Sequence, residues 1–436
     1  MITPRVAIVG ASTELSTDLA EMLADRGVVG DRLRLLGGEE TAGETVEVGG
    51  RRVRVGAATR EALADVDVAL FCGDPRLAAR LIPQARDAGA LSIDATGCTR
   101  GLAAVPAIVP EVNGEEIGEL APGAVVASPD PLAVALALVL APIVRLGGLR
   151  RVVATVLAPA SRLGAIGVEA LSRQSVALMQ GRSLDRAGFP EQLAFNLRVQ
   201  PGQDATGWAD AEEGLASVVP ALLSAPDAVV AATLVRVPVF FGTAMSLDVE
   251  LEGDVGIEQI VTALRAGPGL LVSGSPEEEL ARAIVGGADA EPGDEVPRRR
   301  AVRDPSEVDF ELEAEDDELR DDEDDEDDER ELDEEFEDDE DENEENDDED
   351  DLDGDADLAS GDEDDDGEAA TSGEASPDPA PGPVEVAGSD FVHVSRVRVD
   401  PRRPTAVAMW VAFDEVRRGV ARNLVAILET VVDPEA

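Results

Sequence analysis

Residues 6–16 read VAIVGASTELS, and this stretch decides the fold of the first part of the chain. The apolar run from Val6 to Val9 predicts a buried strand, and the apolar spacing from Leu15 onward predicts a helix. Gly10 stands between them, where a tight turn is needed. A strand, a glycine turn and a helix open dinucleotide-binding domains, whose turns carry three glycines. This turn carries one, so the stretch predicts the shape of a nucleotide-binding turn without deciding whether a nucleotide binds.

Composition excludes several kinds of chemistry. The chain has 436 residues, enough for two or three domains, and a formal net charge of −58. All 36 basic residues are Arg, which excludes Schiff-base chemistry on a lysine. The two cysteines favour a reduced compartment without a disulfide framework. We therefore expect a cytoplasmic protein with no signal peptide, membrane span or metal site, and its acidic excess argues against a nucleic-acid partner.

The pattern of strands and helices changes along the chain. Short apolar strands alternate with helices through residues 1–128, which predicts an α/β fold with a parallel, Rossmann-like sheet. Residues 129–300 and 385–410 contain longer strands, such as AMSLDVELEG (244–253), in which apolar and polar residues alternate. A sheet with one solvent-exposed face is typical of antiparallel pairing, so this second domain is predicted to be α+β. An amphipathic helix over 411–436 is expected to complete the first domain.

A long acidic segment, residues 301–384, separates two parts of the second domain. Between 311 and 370 it contains 41 Asp and Glu against two basic residues. Such a segment buries too little apolar surface to offset its chain entropy, and we expect a disordered insertion. It could bind basic proteins or divalent cations, or it could serve solubility alone. The composition leaves both interpretations open.

Several short motifs run through the chain in one order, interrupted only by the acidic segment. They are VAIVGAS (6–12), VPEVN (109–113), QLAFN (192–196), VRVPVFFG (235–242), SRVRVD (395–400) and WVAFDEVRRGVARN (410–423). Together they resemble the aspartate-semialdehyde dehydrogenase family. The segment TVLAPASRLGAIGVEAL (155–171) is most similar to the cysteine-less bacterial homologues of that family. The resemblance implies an NAD(P)-binding Rossmann domain, a dimerisation domain and a homodimer.

The family reaction that this resemblance implies uses a cysteine thiolate, an acid-base histidine and an active-site glutamine. The family's cysteine motif falls on SPDP (128–131), so Pro131 takes the place of the nucleophile. The histidine position is Thr243, and the glutamine position is Leu157. A threonine hydroxyl titrates far above neutral pH and cannot shuttle a proton as imidazole does. Asp130 and Pro131 suit the cap and first position of a helix, which explains the segment structurally.

Other residues could supply reactive groups. Cys98 lies in a family segment that approaches the active site, where it is either a substitute nucleophile or an inert, half-buried thiol. We favour the inert thiol, because only Arg100 is close enough in sequence to activate it. His393, the single histidine, lies on a later predicted strand, where a packed or surface side chain is expected.

Two arginines match family anion-binding positions. The resemblance assigns Arg236 to the substrate carboxylate and Arg100 to phosphate, and the planar guanidinium suits both. Each could instead pair with a carboxylate of this chain. The family's Lys-Met phosphate motif falls near Gly214 and Leu215, so that contact is missing.

The predicted cofactor site has lost part of its pattern. Thr13 and Ser16 replace the second and third family glycines, although the hydroxyls of Ser12 and Thr13 could still donate to an anion. Glu40 stands where relatives that use NADP carry an arginine, and a carboxylate there repels a 2′-phosphate. Weak NAD binding therefore stays open, NADP is disfavoured, and a domain kept only as scaffold is the alternative. The predicted cofactor residues are Gly10, Ser12, Thr13, Glu40 and Asn423.

Two functions remain at this point. The first is a non-catalytic homologue of aspartate-semialdehyde dehydrogenase that serves as a binding or regulatory protein, as a homodimer or paired with an active paralogue. The second is an active NAD(P)-dependent oxidoreductase with altered chemistry, for which the retained Arg100 and Arg236 argue. Loss of the thiol normally removes the covalent route, so the first interpretation is preferred.

Overall fold

A computed structural model of the chain describes most of the sequence outside the acidic segment. The described residues are 4–11, 14–121, 123–184, 189–200, 208–273 and 380–432. The predictions for Ser12, for Thr13 and for disorder across 301–379 lie outside them.

The first domain contains a parallel sheet with helices on its faces. Its described strands are β1 (Val6–Val9), β2 (Leu33–Gly37), β3 (Thr45–Val48), β4 (Arg51–Arg54), β5 (Gly56–Ala57), β6 (Val68–Phe71), β7 (Leu91–Asp94) and β8 (Val125–Ala127). Its helices are α1 (Glu14–Asp25), α2 (Pro75–Asp87) and α3 (Pro110–Asn113). The sheet order is β5-β2-β1-β6-β7-β8, and β3 and β4 form a separate antiparallel hairpin. All neighbours in the main sheet are parallel, as the alternation of strands and helices predicted.

The turn after β1 has the tight geometry that the sequence predicted. Every residue from Val6 to Val9 is buried. Gly10 has a φ of +101°, and a Cβ at this position would lie 2.3 Å from the carbonyl oxygen of Cys72. Any other residue would strain the backbone and collide with the end of β6. Gly10 is therefore required by the fold itself.

The second domain is built on a mixed sheet. Besides α9 (Arg422–Val432), which packs into the first domain, its described helices are α4 (Pro131–Gly147), α5 (Ala165–Met179), α6 (Asp210–Leu222), α7 (Ile257–Ala266) and α8 (Pro383–Val386). Its strands are β9 (Arg151–Ala158), β10 (Arg198–Val199), β11 (Val229–Arg236), β12 (Thr243–Glu250), β13 (Leu270–Val272), β14 (Val392–Asp400) and β15 (Arg403–Phe413). The sheet order is β10-β11-β9-β12-β15-β14-β13. As the alternation in residues 244–253 predicted, β12 pairs antiparallel with both β9 and β15.

Helix α4 forms the centre of the second core. It is apolar on every side, and its residues from Leu132 to Ala141 are all buried. It packs against α6, α7 and β14, and water reaches it mainly at its last turn, where Arg145 and Leu146 are exposed. Its buried position fixes where its N-terminus points, and that terminus carries Pro131, which the family resemblance set at the nucleophile position.

Two predicted boundaries are wrong. The helix expected from residue 411 begins later, because β15 continues to Phe413, which pairs with Thr243 on one side and Val392 on the other. A π-helical turn over Arg417–Ala421 then leads into α9. The strand pairs come from distant parts of the sequence, so no local pattern marks the change. Helix α9 packs into the core of the first domain.

The end of the acidic insertion, predicted at residue 384, is also too late. Helix α8 begins at Pro383, and Val386 within it is fully buried. The indole N–H of Trp410 donates to the carbonyl of Pro381 at 2.9 Å, which ties the returning chain to β15. None of the described helices is long and apolar enough to cross a membrane.

Candidate functional site

The N-terminus of α4 is capped as the sequence predicted. Asp130 is the N-cap, and its carboxylate accepts a hydrogen bond from the backbone N–H of Leu132 at 2.9 Å. Pro131 occupies the first helical position, where its missing N–H has no cost. A Cβ on Gly419 would lie 2.4 Å from the Cβ of Pro131. The proline ring thus packs directly against the π-helical turn and fills this point of the site.

A guanidinium occupies the space beside the cap. Arg162 lies in the short turn after β9 and binds Asp130 with two nitrogens, Nη2 to Oδ2 at 3.0 Å and Nη1 to Oδ1 at 3.4 Å. Its Nη1 is also 3.8 Å from Oε2 of Glu415. The Arg162 side chain is 17% exposed, so this ion pair is largely withdrawn from water. Burial opposes the charge, but the two carboxylates outweigh it and raise the pKa of Arg162.

Glu415 binds two hydroxyls besides meeting Arg162. Its Oε1 accepts from Oγ of Ser161 at 2.9 Å, and its Oε2 accepts from Oγ1 of Thr243 at 2.8 Å. Burial raises the pKa of Glu415 above its ordinary value, and Arg162 and the two hydroxyls only partly oppose that rise. Asp130, Ser161, Arg162, Thr243 and Glu415 form one network, which we term the Asp130 cluster.

The chemistry of the Asp130 cluster is restricted by its own bonding. It contains no thiol and no imidazole. The hydroxyl hydrogen of Thr243 is committed to Glu415, and Thr243 itself is fully buried. Both oxygens of Asp130 face Arg162. Each polar group therefore has an internal partner, and the cluster presents no free nucleophile to a ligand.

A cavity of about 170 Å³ opens beside the Asp130 cluster. Gly97, Arg100, Ser128, Asp130 and Gly214 are among its lining residues, and we term it the Arg100 cavity. Arg100 is exposed, and its guanidinium folds over Gly97, whose Cβ position lies 3.2 Å from Nη2. Within the described ranges, no carboxylate pairs with this guanidinium. The cavity thus offers one uncompensated positive charge to an anion.

The loop that carries Arg100 is fixed by a buried carboxylate. Asp94, at the end of β7, accepts from N and Oγ1 of Thr96 at 2.8 and 2.6 Å. It also accepts from N and Oγ1 of Thr99 at 2.9 and 2.6 Å. Burial raises the pKa of Asp94, but these hydrogen bonds outweigh burial and leave the pKa below its ordinary value. A charged Asp94 therefore holds the loop in place.

The two remaining candidates for reactive groups, Cys98 and His393, each contact a neighbouring polar side chain. The Sγ of Cys98 lies 3.5 Å from Oδ2 of Asp94. Burial raises the pKa of Cys98, and the Asp94 charge raises it further, which opposes thiolate formation. His393 is half-buried on β14, with Nε2 2.8 Å from Oγ of Ser389. Burial lowers its pKa, and it does not belong to the Asp130 cluster.

Arg236 does not line the Arg100 cavity. Its Nη1 donates to Oε2 of Glu191 at 2.9 Å. The two arginines that the family pattern singles out therefore differ, since one is paired within the chain and the other is open. Leu157, which the family resemblance set at the glutamine position, packs beside Ala244.

The predicted cofactor residues are distributed unevenly. Gly10 and Glu40 follow the neighbouring parallel strands β1 and β2, so both lie at one edge of the sheet, and Glu40 is exposed. Asn423 is fully buried, and its Nδ2 donates to the carbonyl of Ile108 at 3.1 Å and to Oγ of Ser128 at 2.8 Å. Asn423 thereby joins α9 to the wall of the Arg100 cavity.

Sequence reasoning missed Arg162, Glu415 and Ser161. Arg162 and Ser161 lie in a turn, and Glu415 lies between β15 and the π-helical turn, more than 250 positions later. No local motif announces such a contact. The single available signal was Arg162 itself, a basic residue within a stretch otherwise rich in small and apolar residues.

Comparison with known proteins shows that both domains of the chain match one protein family. The family model for the semialdehyde dehydrogenase NAD-binding domain matches residues 5–120, and that for the semialdehyde dehydrogenase dimerisation domain matches residues 140–290. The USG-1 protein homolog of Azotobacter vinelandii is 34% identical over 61% of this chain and 79% of its own length. Aspartate-semialdehyde dehydrogenase 2 of Vibrio cholerae is 31% identical with the same coverage, 61% and 79%.

Among solved structures, aspartate semialdehyde dehydrogenase II from Vibrio cholerae matches with a TM-score of 0.72. The two sequences are 25% identical, and the match covers 100% of both chains. The comparison confirms the predicted fold class, a Rossmann-like parallel sheet domain and an α+β domain that is built on a mixed sheet.

Proposed function

Because the chain belongs to the aspartate-semialdehyde dehydrogenase family, we propose that it is a member without the family's chemistry, retained as a binding or regulatory protein. The observation that carries this proposal is the internal saturation of the Asp130 cluster. Pro131 and Thr243 stand at the positions that the family pattern assigns to the nucleophile and the acid-base group. A covalent route needs both functions, a nucleophile and a base that activates it.

The packing around Pro131 supports the same proposal. A thiol at this position would extend from the first turn of α4, where the helix dipole favours a thiolate. Here the Pro131 ring lies against Gly419, and the neighbouring Asp130 carboxylate and Arg162 guanidinium neutralise each other. The half-buried Cys98 is a poor substitute, because burial and Asp94 both raise its pKa.

We propose that the protein acts in the cytoplasm as a homodimer. The match to a dimerisation domain over residues 140–290 supports the homodimer. Several large apolar side chains are also exposed on the second domain, which is typical of a surface that a partner covers. They include Ile166, Val176, Met179, Phe195, Leu197 and Val199. Pairing with an active paralogue through the same surface is the alternative arrangement.

For the cofactor, we propose weak binding of NAD rather than NADP. Glu40 lies beyond the end of β2, the strand that pairs with β1, and a carboxylate at this edge can accept from a ribose hydroxyl. The same charge repels a 2′-phosphate. The match to an NAD-binding domain over residues 5–120 supports a nucleotide as the ligand of this edge.

The second candidate is an active oxidoreductase with altered chemistry. The specific observation in its favour is the open guanidinium of Arg100 in the Arg100 cavity. An arginine without a partner is suited to a phosphate or carboxylate of a substrate. Direct hydride transfer would need no thiol, so the absence of a nucleophile does not remove this candidate.

Turnover of aspartate semialdehyde tests the first candidate. The purified protein is incubated with aspartate semialdehyde, phosphate and NAD or NADP, and reduced nicotinamide is followed by absorbance. We expect no turnover above a sample without protein. Turnover that Cys98→Ala abolishes would refute the proposal, because that thiol would then be a working nucleophile.

Calorimetric titration separates the two candidates. Inorganic phosphate, NAD and NADP are titrated into the wild type and into Arg100→Ala, with Arg60→Ala, another arginine in the first domain, as the matched control. We expect phosphate binding that Arg100→Ala reduces at least about tenfold, a change of about 1.4 kcal/mol. Absence of heat with both nucleotides would end the oxidoreductase interpretation and would also refute the proposed weak binding of NAD.

A further inference from the structure

A second cavity, of about 230 Å³, lies toward the C-terminal end of α4, away from the Asp130 cluster at its N-terminus. Its walls are formed by α3, by the second half of α4 and by the end of α7. We term it the Glu111 cavity. It shares no lining residue with the Arg100 cavity, so the two cavities can take different ligands.

Most of the wall of the Glu111 cavity is apolar. The apolar lining is formed by Val112, Leu138, Ala141, Pro142, Ala263 and Ala266. The space stays open because α7 contributes only alanines here, followed by Gly267 and Pro268. Pockets for drug-sized ligands begin at roughly 300 Å³. The Glu111 cavity therefore suits a smaller molecule with an apolar part.

A carboxylate in this wall has only half of its hydrogen bonding satisfied. Nη2 of Arg418 donates to Oε1 of Glu111 at 2.9 Å. The Arg418 side chain is 1% exposed and abuts Gly269, where a Cβ would lie 2.3 Å from Nη2, so Oε1 is held in place. Oε2 of Glu111 is buried and has no partner among the described residues.

The unpaired oxygen of Glu111 favours a cationic donor. Leaving a buried acceptor without a donor costs about 1–3 kcal/mol, and more for a charged group. The C-terminus of α7 also lies at this cavity, since Ala266 is its last residue. A helix C-terminus carries a partial negative charge and attracts cations. Both features select an ammonium group as the donor.

A second charged group of the wall selects an anion. Arg145 lies in the last turn of α4 and is exposed. No carboxylate pairs with its guanidinium within the described ranges. Because Glu111 and Arg418 offset each other's charge, Arg145 leaves the cavity with one net positive charge. A guanidinium binds a carboxylate through two parallel hydrogen bonds.

We propose that the Glu111 cavity binds a small α-amino acid with an apolar side chain. The ammonium group donates to Oε2 of Glu111, the carboxylate meets Arg145, and the side chain packs against the apolar wall. A polar side chain would leave its own hydrogen-bonding groups unpaired there, which disfavours polar amino acids. The proposal goes beyond the proposed function, because this cavity contains none of the residues that match the family's site.

Calorimetric titration of the full chain with L-leucine tests the proposal. Leucine carries all three features, whereas 4-methylpentanoate lacks its ammonium group and isopentylamine lacks its carboxylate. We expect leucine to bind with a Kd of about 1 mM or below. Each analogue is expected to bind at least tenfold more weakly than leucine, and L-glutamate to give no binding heat.

Three variants locate the leucine site. Arg145→Gln removes an exposed charge and is expected to weaken leucine binding at least tenfold, with Arg86→Gln, another exposed arginine in a last helical turn, as its control. Ala263→Leu fills the cavity and should abolish binding. Ala79→Leu, at an exposed position of α2, is its control and should bind as the wild type does.

The proposal is overturned if the wild type gives no heat with leucine, or if Arg145→Gln binds leucine as tightly as the wild type. It is also overturned if Arg100→Ala abolishes leucine binding, because leucine would then occupy the Arg100 cavity. The turnover assay is independent of these results. Turnover of aspartate semialdehyde would refute the proposed function and leave the leucine site standing, and an absence of leucine binding would leave the proposed function untouched.

Discussion

The Asp130 cluster and the Arg100 cavity are adjacent, and Asp130 contributes to both, yet they treat charge in opposite ways. In the cluster, Arg162 meets two carboxylates, and each hydroxyl donates to Glu415. In the cavity, the guanidinium of Arg100 has no carboxylate partner in the part of the chain that the structure describes. One region satisfies its polar groups internally, and the other leaves a cation for a ligand.

The buried carboxylates of the two regions show the same contrast. Burial raises the pKa of Glu415, and its partners fail to compensate. Burial also raises the pKa of Asp94, but four hydrogen bonds from Thr96 and Thr99 overcome it and lower the pKa. The loop that presents Arg100 is thus fixed by a stable charge. The cluster instead contains a carboxyl group whose charge is unfavourable where it lies.

This difference suggests how a site can retain binding without chemistry. Catalysis requires groups that exchange partners during the reaction, and a group committed to an internal partner cannot do so without cost. Binding requires only a charge and a space. The Asp130 cluster does not meet this requirement for catalysis, whereas the Arg100 cavity meets both requirements for binding.

Among the changes considered, removing Arg162 should have the largest effect, because it removes the internal charge pairing that distinguishes the Asp130 cluster from the Arg100 cavity. Arg162→Ala leaves Asp130 and Glu415 close together without a cation, and breaking a buried ion pair in this way costs about 3 kcal/mol of unfolding free energy. The measurement is urea unfolding at neutral pH. The cluster would then resemble an open site, with unpaired charge at the N-terminus of α4.

Arg150→Ala is the matched control for Arg162→Ala. Arg150 pairs with Glu250 at 3.2 Å, but its side chain is 71% exposed. Exposed pairs contribute about 1 kcal/mol or less. If Arg162→Ala cost no more than Arg150→Ala, the Asp130 cluster would have to be regarded as an ordinary surface ion pair.

Replacing Asp94 tests the Arg100 cavity, because Asp94 fixes the loop that carries Arg100. Asp94→Asn keeps the shape but turns an amide N–H₂ toward groups that donate, and losing hydrogen bonds to a charged acceptor costs about 2 kcal/mol. We expect this loss in urea unfolding at neutral pH, together with weaker phosphate binding, because the loop that orients Arg100 is no longer fixed.

The pH dependence of the Asp94 effect has a definite sign. The pKa of Asp94 is lower in the folded protein than its ordinary value of 3.8. Its stabilisation is therefore complete above that value and is lost as pH falls through the folded pKa. The difference between wild type and Asp94→Asn should be full at about pH 7 and smaller at about pH 3. An unchanged difference at the lower pH would contradict the account of the loop.

The sequence was sufficient for the fold because the fold rests on local periodicity. The apolar run at β1, the turn at Gly10 and the capped start of α4 at Asp130 each follow from residues within one segment. The same reasoning failed at Phe413, where a strand partner more than 150 positions away extends β15 into a stretch with helical spacing.

The candidate site was only half predictable for a related reason. Arg100 and Arg236 matched positions of a known pattern, so sequence alone could nominate both as anion-binding residues. It could not tell that Glu191 pairs with Arg236 while Arg100 is open, since that depends on the three-dimensional arrangement. Nor could it join Arg162 to Glu415, which lie more than 250 positions apart.

The smallest expected effect comes from titrating Glu415, and its sign is the test. Burial raises the pKa of Glu415 above 4.5 in the folded state, so the neutral carboxyl favours folding. That contribution is present below the unfolded pKa and is lost as pH rises through the folded pKa. Glu415→Gln stays neutral at every pH. The variant should therefore gain stability relative to the wild type as pH rises from 4.5 through the folded pKa of Glu415, measured as urea unfolding free energies.

Thr243→Val sharpens this last comparison. Glu415 still titrates in this variant, but it loses the hydroxyl that stabilises its charged form at 2.8 Å. The pKa of Glu415 should rise further, so wild-type stability relative to Thr243→Val should increase with pH, in contrast to its decrease relative to Glu415→Gln. If the stability difference from the wild type changes with pH in opposite directions for the two variants, the titration of Glu415 causes both changes. Parallel slopes would mean that other titrating groups dominate the Asp130 cluster, and its contrast with the Arg100 cavity would then rest on geometry alone.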